Sequence, residues 1–491
     1  MTAIEENVKN EFNVNFDERL PFKSKIAYGL SQASSGILSG IALGSAITFY
    51  YNVKLGLSEE WISFAWLLFA IWNAINDPLF GILQERIDTE MGRRIPVLRF
   101  GAPIFALTFI ICWFPFMGST QIALFWNLLL VLFLVDSMFT MIGLVLTALP
   151  AEMCLTQEAR SNLGLYNVVL GATGGLLSVI LPLILLTDET SNKLNPLFKP
   201  VMVLVGIVAG TVLFFSSYTL IENEYARTEE PLGFIESMVK AIKNREFLAF
   251  EASSFAYTLA FTIVTSSMTY FVQYVLGLQG LLASFPLLAI FILLLLFSFL
   301  ADRMVKQRGL KQVYIVGLML ASFGLVLLFF SGNWLIPVML SLAVIGIGFA
   351  PITLIWAPLL TDVMDYDEIL TGKRRETTYA GMNALITKPA ISIANALFLL
   401  IISGFGFDNM KSVQTNSAVL GIQLGYTLVP AVFFIISAII LLKWYKLDGK
   451  EWIVKKAELG KIHLQKEKEY IDHLQREGKI SKVYQRLYGE I

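Results

Sequence analysis

The chain is 491 residues long, 56% hydrophobic and only 15% charged, where a soluble domain carries roughly 25% charged residues. That much apolar surface excludes a soluble fold, and a net charge of -1, with basic residues scattered among loops, excludes the electrostatic footprint of a nucleic-acid binder. No nucleic-acid partner is expected.

Residues 1–25 form a polar tail of mixed charge, without the basic, apolar and small-residue succession of a cleaved signal. The first membrane helix is therefore expected to act as its own insertion signal. Apolar stretches of at least ~18 residues, each able to cross a hydrocarbon core of ~30 Å, predict helices near 26–51, 60–84, 97–118, 122–150, 163–186 and 199–221. A polar insert over 222–246 separates them from a second set near 247–275, 279–300, 312–332, 335–361, 377–404 and 418–443. The prediction is an all-α membrane protein of twelve transmembrane helices in two six-helix halves, 26–221 and 247–443. Lys and Arg number about sixteen in one set of alternate loops and about four in the other, Lys54, Lys193, Lys199 and Lys411. That bias places both termini in the cytoplasm, and the expected location is the plasma membrane.

Helix 2 carries Trp72-Asn73-Ala74-Ile75-Asn76-Asp77-Pro78. Asn73, Asn76 and Asp77 stand at i, i+3 and i+4 and share one helix face. Pro78 removes a backbone hydrogen bond and frees the carbonyl of Ala74. In the loop that follows, Gly81, Glu85 and Arg86 precede Gly92-Arg93-Arg94, and the pattern is echoed after helix 8 by Asp302-Arg303 with Lys306 and Arg308. An acid-Arg pair recurring at matching places is read as a latch that holds neighbouring helices in one conformation. Cys112 and Cys154 are not expected to form a disulfide.

Helix 4 supplies Asp136 and Thr140, one turn apart, at the depths of Asn73 and Asp77. Ionisable residues at such depth cost ~2.5–3.5 kcal/mol on insertion scales and are functional by default. Glu251, near the end of helix 7, is expected to snorkel to the interface. Helix 11 has one intramembrane cation, Lys388, at about the depth of Asp77 and Thr140. Carboxylate, amide and hydroxyl oxygens suit Na⁺, and a desolvated carboxylate suits a proton, so residue types leave both open. Both histidines, His463 and His473, lie in the tail over 444–491. That tail reads as a charged helix, with Leu464, Ile471 and Leu474 at helical spacing before a break at Gly478. No nucleophile-base pair, metal cluster or phosphate loop is found, so neither an enzyme nor a cofactor is expected, and no metal beyond a possible Na⁺.

Over nearly all of Tyr28 to Gly449 the chain resembles the glycoside-pentoside-hexuronide:cation symporters of the major facilitator superfamily, the melibiose permease-like group. The resemblance rests on Trp72 to Pro78 with Gly92-Arg93-Arg94-Ile95-Pro96, on Ala148 to Met153 with Arg160, and on Asp362-Val363-Met364-Asp365-Tyr366 followed by Glu376 and Tyr379. It implies a cation site at Asn76, Asp77 and Thr140 with Lys388 beside it. The family pattern reads Trp-Asp where this chain has Trp72-Asn73. Either Asp136 restores the missing carboxylate, or a single acid favours H⁺ over Na⁺.

Galactoside-type members place acids and an Arg where this chain has Gly36, Gly143 and Asn167. The solute-binding candidates are therefore Gln32, Ser35, Asn167, Asn383 and Trp356. The resemblance implies a monomeric, cation-coupled symporter of a small polar solute, a sugar or glycoside, working by alternating access. An amphiphilic solute such as a lysolipid, or a transporter-like sensor without turnover, is the competing expectation.

Overall fold

The computed structural model describes residues 20–87, 89, 91–154, 157–187, 194–220, 242–332, 334–372 and 376–476. They fold as helices only, with no strand among the described residues. The first half contains α1 (Phe22–Lys54), α2 (Glu59–Glu85), α3 (Ile95–Ile111), α4 (Gln121–Met153), α5 (Gln157–Leu186) and α6 (Phe198–Ser216). The second contains α7 (Arg245–Val275), α8 (Phe285–Arg308), α9 (Leu310–Ser331), α10 (Leu335–Thr371), α11 (Glu376–Gly404) and α12 (Asn416–Trp444). A tail helix, α13 (Gly449–Arg476), follows.

Eleven of the first twelve helices are long and apolar enough to cross a membrane, and α3 is a shorter apolar helix of 17 residues. Twelve spans fit the fold. α2 shows why. Phe64, Leu67, Ile71, Ile75, Leu79 and Ile82 recur every three or four residues and are exposed, whereas Ile62, Ala65, Trp66, Phe69, Asn73 and Asn76 on the other side are buried. A soluble helix would reverse that polarity, so the exposed stripe is suited to lipid.

Several helix ends differ from the hydropathy reading. α10 runs to Thr371, well past 361, because Asp362, Asp365, Asp367 and Glu368 end the apolar run without ending the helix. The stop is Gly372, in the left-handed conformation at φ +70°. α3 stops at Ile111 rather than 118, ahead of Pro115 and a left-handed Gly118. The leader, most of the central insert, the loop over 373–375 and the side chains of Leu464, Ile471 and Leu474 lie outside the described residues, as does Gly478. Cys112 and Cys154 are buried and not joined by a disulfide.

The halves share a backbone device. α1 breaks at Leu43-Gly44 and closes with a π-helical turn, Tyr50–Lys54; α7 breaks at Ser267 and closes with another, Phe271–Val275. Each turn runs into Leu-Gly-Leu, with Gly56 at φ +77° and Gly277 at φ +65°. The amides of Leu57 and Leu278 donate to the carbonyls of Tyr51 and Val272 at 2.9 and 3.0 Å. Helix packing relies on missing side chains: a Cβ on Gly174 of α5 would lie 2.4 Å from the Ala33 carbonyl of α1.

The halves meet chiefly along α2 and α11. At the distal end of the bundle, opposite Phe22 and Trp444, Tyr270 of α7 donates to Asn52 Oδ1 at 2.9 Å, and Asn409 donates to the Leu57 carbonyl at 3.1 Å. Ser63 donates to the Ala396 carbonyl at 3.3 Å, and Ser403 donates to Glu60. Asn52 in turn donates to Glu59 at 2.8 Å.

Candidate functional site

The inward face of α2 delivers its polar residues to one place at mid-depth. Asn76 Nδ2 donates to Asp136 Oδ2 and, at 3.1 Å, to Thr140 Oγ1, both on α4. From the other half, Lys388 Nζ on α11 donates to Asp77 Oδ1, to Thr140 Oγ1 at 2.9 Å and to Asn76 Oδ1 at 3.4 Å. Asn73 Nδ2 donates to the Lys388 backbone carbonyl at 3.2 Å. Asn73, Asn76, Asp136 and Thr140 are all buried. The side chains of Lys388 and Asp77 keep 17% and 11% exposure, so the ion pair is partly screened from solvent but not sealed.

The arrangement is an oxygen cage with an ammonium in it. Asp77, Asp136, Asn76 and Thr140 supply carboxylate, amide and hydroxyl oxygens, and Lys388 touches three of those four side chains. With both acids ionised the cluster carries net -1, a charge that one monovalent cation neutralises. Asp136 bonds the side-chain amide of Asn76, whose oxygen faces Lys388, and so brings a second carboxylate to the cluster. Asn73 plays a part that an ionised Asp cannot: its NH₂ bonds a carbonyl across the two halves. Its Oδ1 is buried without a hydrogen-bond partner.

The solute candidates form two groups. In the first half, Gln32 Nε2 donates to Tyr28 Oη at 2.9 Å, and Tyr28 donates to the Leu146 carbonyl at 3.1 Å. Asn167 Oδ1 and Gln32 both border Gly171 of α5, so these two candidates converge. Ser35 is buried within α1. In the second half, Trp356 Nε1 of α10 donates to Ser254 of α7 at 3.2 Å, and Asn383 of α11 donates to Glu251 of α7 at 3.0 and 3.1 Å. Ser254 and Glu251 are one turn apart, so Trp356 and Asn383 adjoin a common face of α7.

Glu251 is a correction. It does not snorkel; it is 2% exposed and held by Asn383, because α11 packs over it. A sequence reading places a residue by depth alone, whereas the neighbour that covers it comes from 132 residues away. A polar pair on two predicted helices, Glu251 and Asn383, was the available signal.

The loop pattern is partly assembled. Gln84 of α2 donates to the Met141 carbonyl of α4 at 2.7 Å and accepts from Arg94 at 2.9 Å, tying α2, α4 and the loop together. Gly92 takes φ +102°, and its carbonyl accepts from Thr89 at 2.7 Å. Gly81 lies within α2, Arg86 follows its end and is exposed, Arg93 lies in the loop, and the Glu85 side chain lies outside the described residues. In the second half the expected pair is different: Asp302 bridges Lys306 at 2.7 Å within α8, and Arg303 is exposed. Adjacent helical residues point about 100° apart, whereas i and i+4 face each other. The acid of the second pattern therefore spans no helix boundary. Sequence reasoning missed Gln84, a neutral residue among charges.

A family model described as MFS/sugar transport protein matches residues 27–449. Among curated proteins, the inner membrane symporter YicJ of Escherichia coli is 26% identical, the match covering 88% of this chain and 93% of that protein. The isoprimeverose transporter of Lactiplantibacillus pentosus is 24% identical, with 88% and 90% covered. Among solved structures, a D-xylose-proton symporter superposes with a TM-score of 0.62 at 16% identity, over 87% of this chain and 98% of that one. The nucleoside transporter NupG superposes with a TM-score of 0.62 at 13% identity, over 87% and 100%. At such identities the superpositions show the fold alone.

Proposed function

Because the chain belongs to the MFS/sugar transport protein family, we propose that it is a cation-coupled secondary symporter of a small polar solute, a sugar or glycoside, that works by alternating access. The observation that carries the reading is Lys388, an ammonium from one half lodged among the oxygens of Asp77, Asn76 and Thr140 from the other. Relatives named as symporters and as an isoprimeverose transporter support the solute class.

In this reading the termini lie in the cytoplasm of the plasma membrane, and the bonded distal end faces outward. Lys388 holds α11 to α2 and α4 when no coupling cation is bound. A Na⁺ or H⁺ that takes the oxygens competes with the ammonium, frees α11 and shifts the population toward the state that binds solute. Linkage requires solute to tighten cation binding by the same factor. Solute hydroxyls would pair with Gln32, Ser35 and Asn167 on one side and with Trp356 and Asn383 on the other. The two carboxylates, Asp77 and Asp136, favour Na⁺, since a proton needs only one.

The test is uptake of a panel of sugars and glycosides into proteoliposomes under separately imposed Na⁺ and pH gradients. Accumulation driven by either gradient supports symport, and the effective gradient names the cation. Binding of a panel member without accumulation under either gradient overturns coupling in favour of a sensor.

A further inference from the structure

Glu251 lies outside the Lys388 cluster and has no part in the mechanism above. The residue is 2% exposed, and both carboxyl oxygens accept from one neutral group, Asn383 Nδ2, at 3.0 and 3.1 Å. Among the described residues no cationic side chain lies within ion-pair distance of it. The charged and titratable groups of the surrounding helices are otherwise engaged. On α7, Glu246 accepts from the Lys446 amide at 2.6 Å, and on α10, Asp362 is held by Trp452 and Lys456 of α13, while the buried acids beyond it on the same helix, Asp365, Asp367 and Glu368, have interactions of their own. Lys443 of α12 is exposed, and Lys388 of α11 is committed to Asp77. Tyr379 of α11 accepts from Asn244, and Tyr257 stands further along α7.

A buried carboxylate with one amide donor and no cation is costly; an added proton removes the cost. Asn383 suits a group that changes in this way. Its NH₂ donates to a carboxylate, and its carbonyl, brought round by rotation of the amide, accepts from a carboxylic acid. The position is also fitting. Glu251 lies about 9 Å along α7 from Arg245, and Asn383 lies about 7 Å short of Lys388 on α11, toward the end of the bundle that holds Phe22 and Trp444. Trp356, half-buried, bonds Ser254 one turn from Glu251.

We propose that Glu251 is a proton-exchange site of this transporter, separate from the Lys388 cluster, with Asn383 as its partner in both protonation states and as its link to solute. The proposal rests on the symport reading for its role but not for its chemistry. In the step, the carboxylic O–H bond breaks, the proton passes to water at the end of the bundle that holds Phe22 and Trp444, and the carboxylate remains, accepting from Asn383 Nδ2. A solute hydroxyl that engages Asn383 competes for that amide and so biases the exchange.

The experiment is pH-difference infrared spectroscopy of the full chain in lipid nanodiscs, without solute and in K⁺ buffer. A protonated-carboxyl C=O band at acidic pH that disappears as pH rises is expected in the wild type, in Glu251→Asp and in Asp77→Asn, and its loss is expected in Glu251→Gln. Asn383→Leu, which leaves the acid in place, is expected to shift the band through loss of its hydrogen bond. A Glu251→Gln spectrum like the wild type's, an Asn383→Leu band unmoved, or a band that persists at the highest pH overturns the proposal. Retention of the band in Asp77→Asn, and equally in Asp136→Asn, keeps this test separate from that of the cation site; a band lost in Asp136→Asn instead of Glu251→Gln overturns the proposal.

Discussion

The two halves are joined in two regions built from different chemistry. At mid-depth the junction is ionic: Lys388 reaches Asp77, Asn76 and Thr140. At the distal end it is made mainly of hydroxyls, amides and backbone carbonyls, with Tyr270 on Asn52, Asn409 on Leu57, Ser63 on Ala396 and Phe49 against Tyr270 at 4.9 Å, and holds no ion pair between the halves among the described residues, the one carboxylate in it, Glu60, accepting from the Ser403 hydroxyl. Ionic contacts can be traded for a bound cation, whereas neutral ones are broken only by moving the halves apart. The first region is suited to sensing and the second to closing. Hydrogen bonds between neutral groups contribute about 1 kcal/mol each, so the distal seal is a sum of weak bonds that a cation-induced shift can overcome.

Removing the carboxylate of the ionic junction is expected to have the largest effect. Asp77→Asn leaves Lys388 half-buried without its counter-charge, a class of change that costs about 3–5 kcal/mol in fully buried pairs and less here, because both side chains keep some exposure. Concentrative uptake should fall to the liposome background while membrane insertion is kept; accumulation at the wild-type level would break the comparison.

Asp136→Asn should come next. The cage keeps Asp77 but loses a charge, so Na⁺-dependent thermal stabilisation, measured against choline at fixed pH, should need about tenfold more Na⁺. An unchanged Na⁺ midpoint would show that Asp136 only props Asn76. Asn73→Asp sharpens the same point. An ionised carboxylate in place of the Asn73 amide cannot donate to the Lys388 carbonyl, so the substitution is expected to weaken the protein thermally at neutral pH and less so in acid, where the side chain regains a donor.

In the distal region Tyr270→Phe removes one neutral bond and should shift the open-to-closed ratio about fivefold, the equivalent of ~1 kcal/mol. Electron-resonance distances between spin labels at Phe116 and Lys411, both exposed and in opposite halves, would report it. The smallest effect is expected outside both regions. Trp452→Ala removes a hydrogen bond to Asp362 and a ring contact with Tyr366, which should free α13 to limited proteolysis while leaving uptake nearly unchanged. A large loss of uptake would make the tail a third junction.

The sequence by itself determined the twelve-helix architecture, because lipid imposes a local rule: each span must be long and apolar, and that is legible in one dimension. It also placed Asn73, Asn76, Asp77, Asp136 and Thr140 at matching depths, since helical periodicity and rise are local too. What only the tertiary structure decided is which group meets which. That Lys388 bridges two helices of the other half, that Asn73 grips a backbone carbonyl and that Glu251 is covered by Asn383 all depend on helix rotation and packing. The paired π-turns of α1 and α7 belong there as well: the sequence reading passes over the Leu-Gly-Leu that follows each, and the wider turn before it, with the seal it builds between Asn52 and Tyr270, arises where the two helices meet. Partners separated by one to three hundred residues are chosen by the packing of the halves, and hydropathy carries no record of that packing.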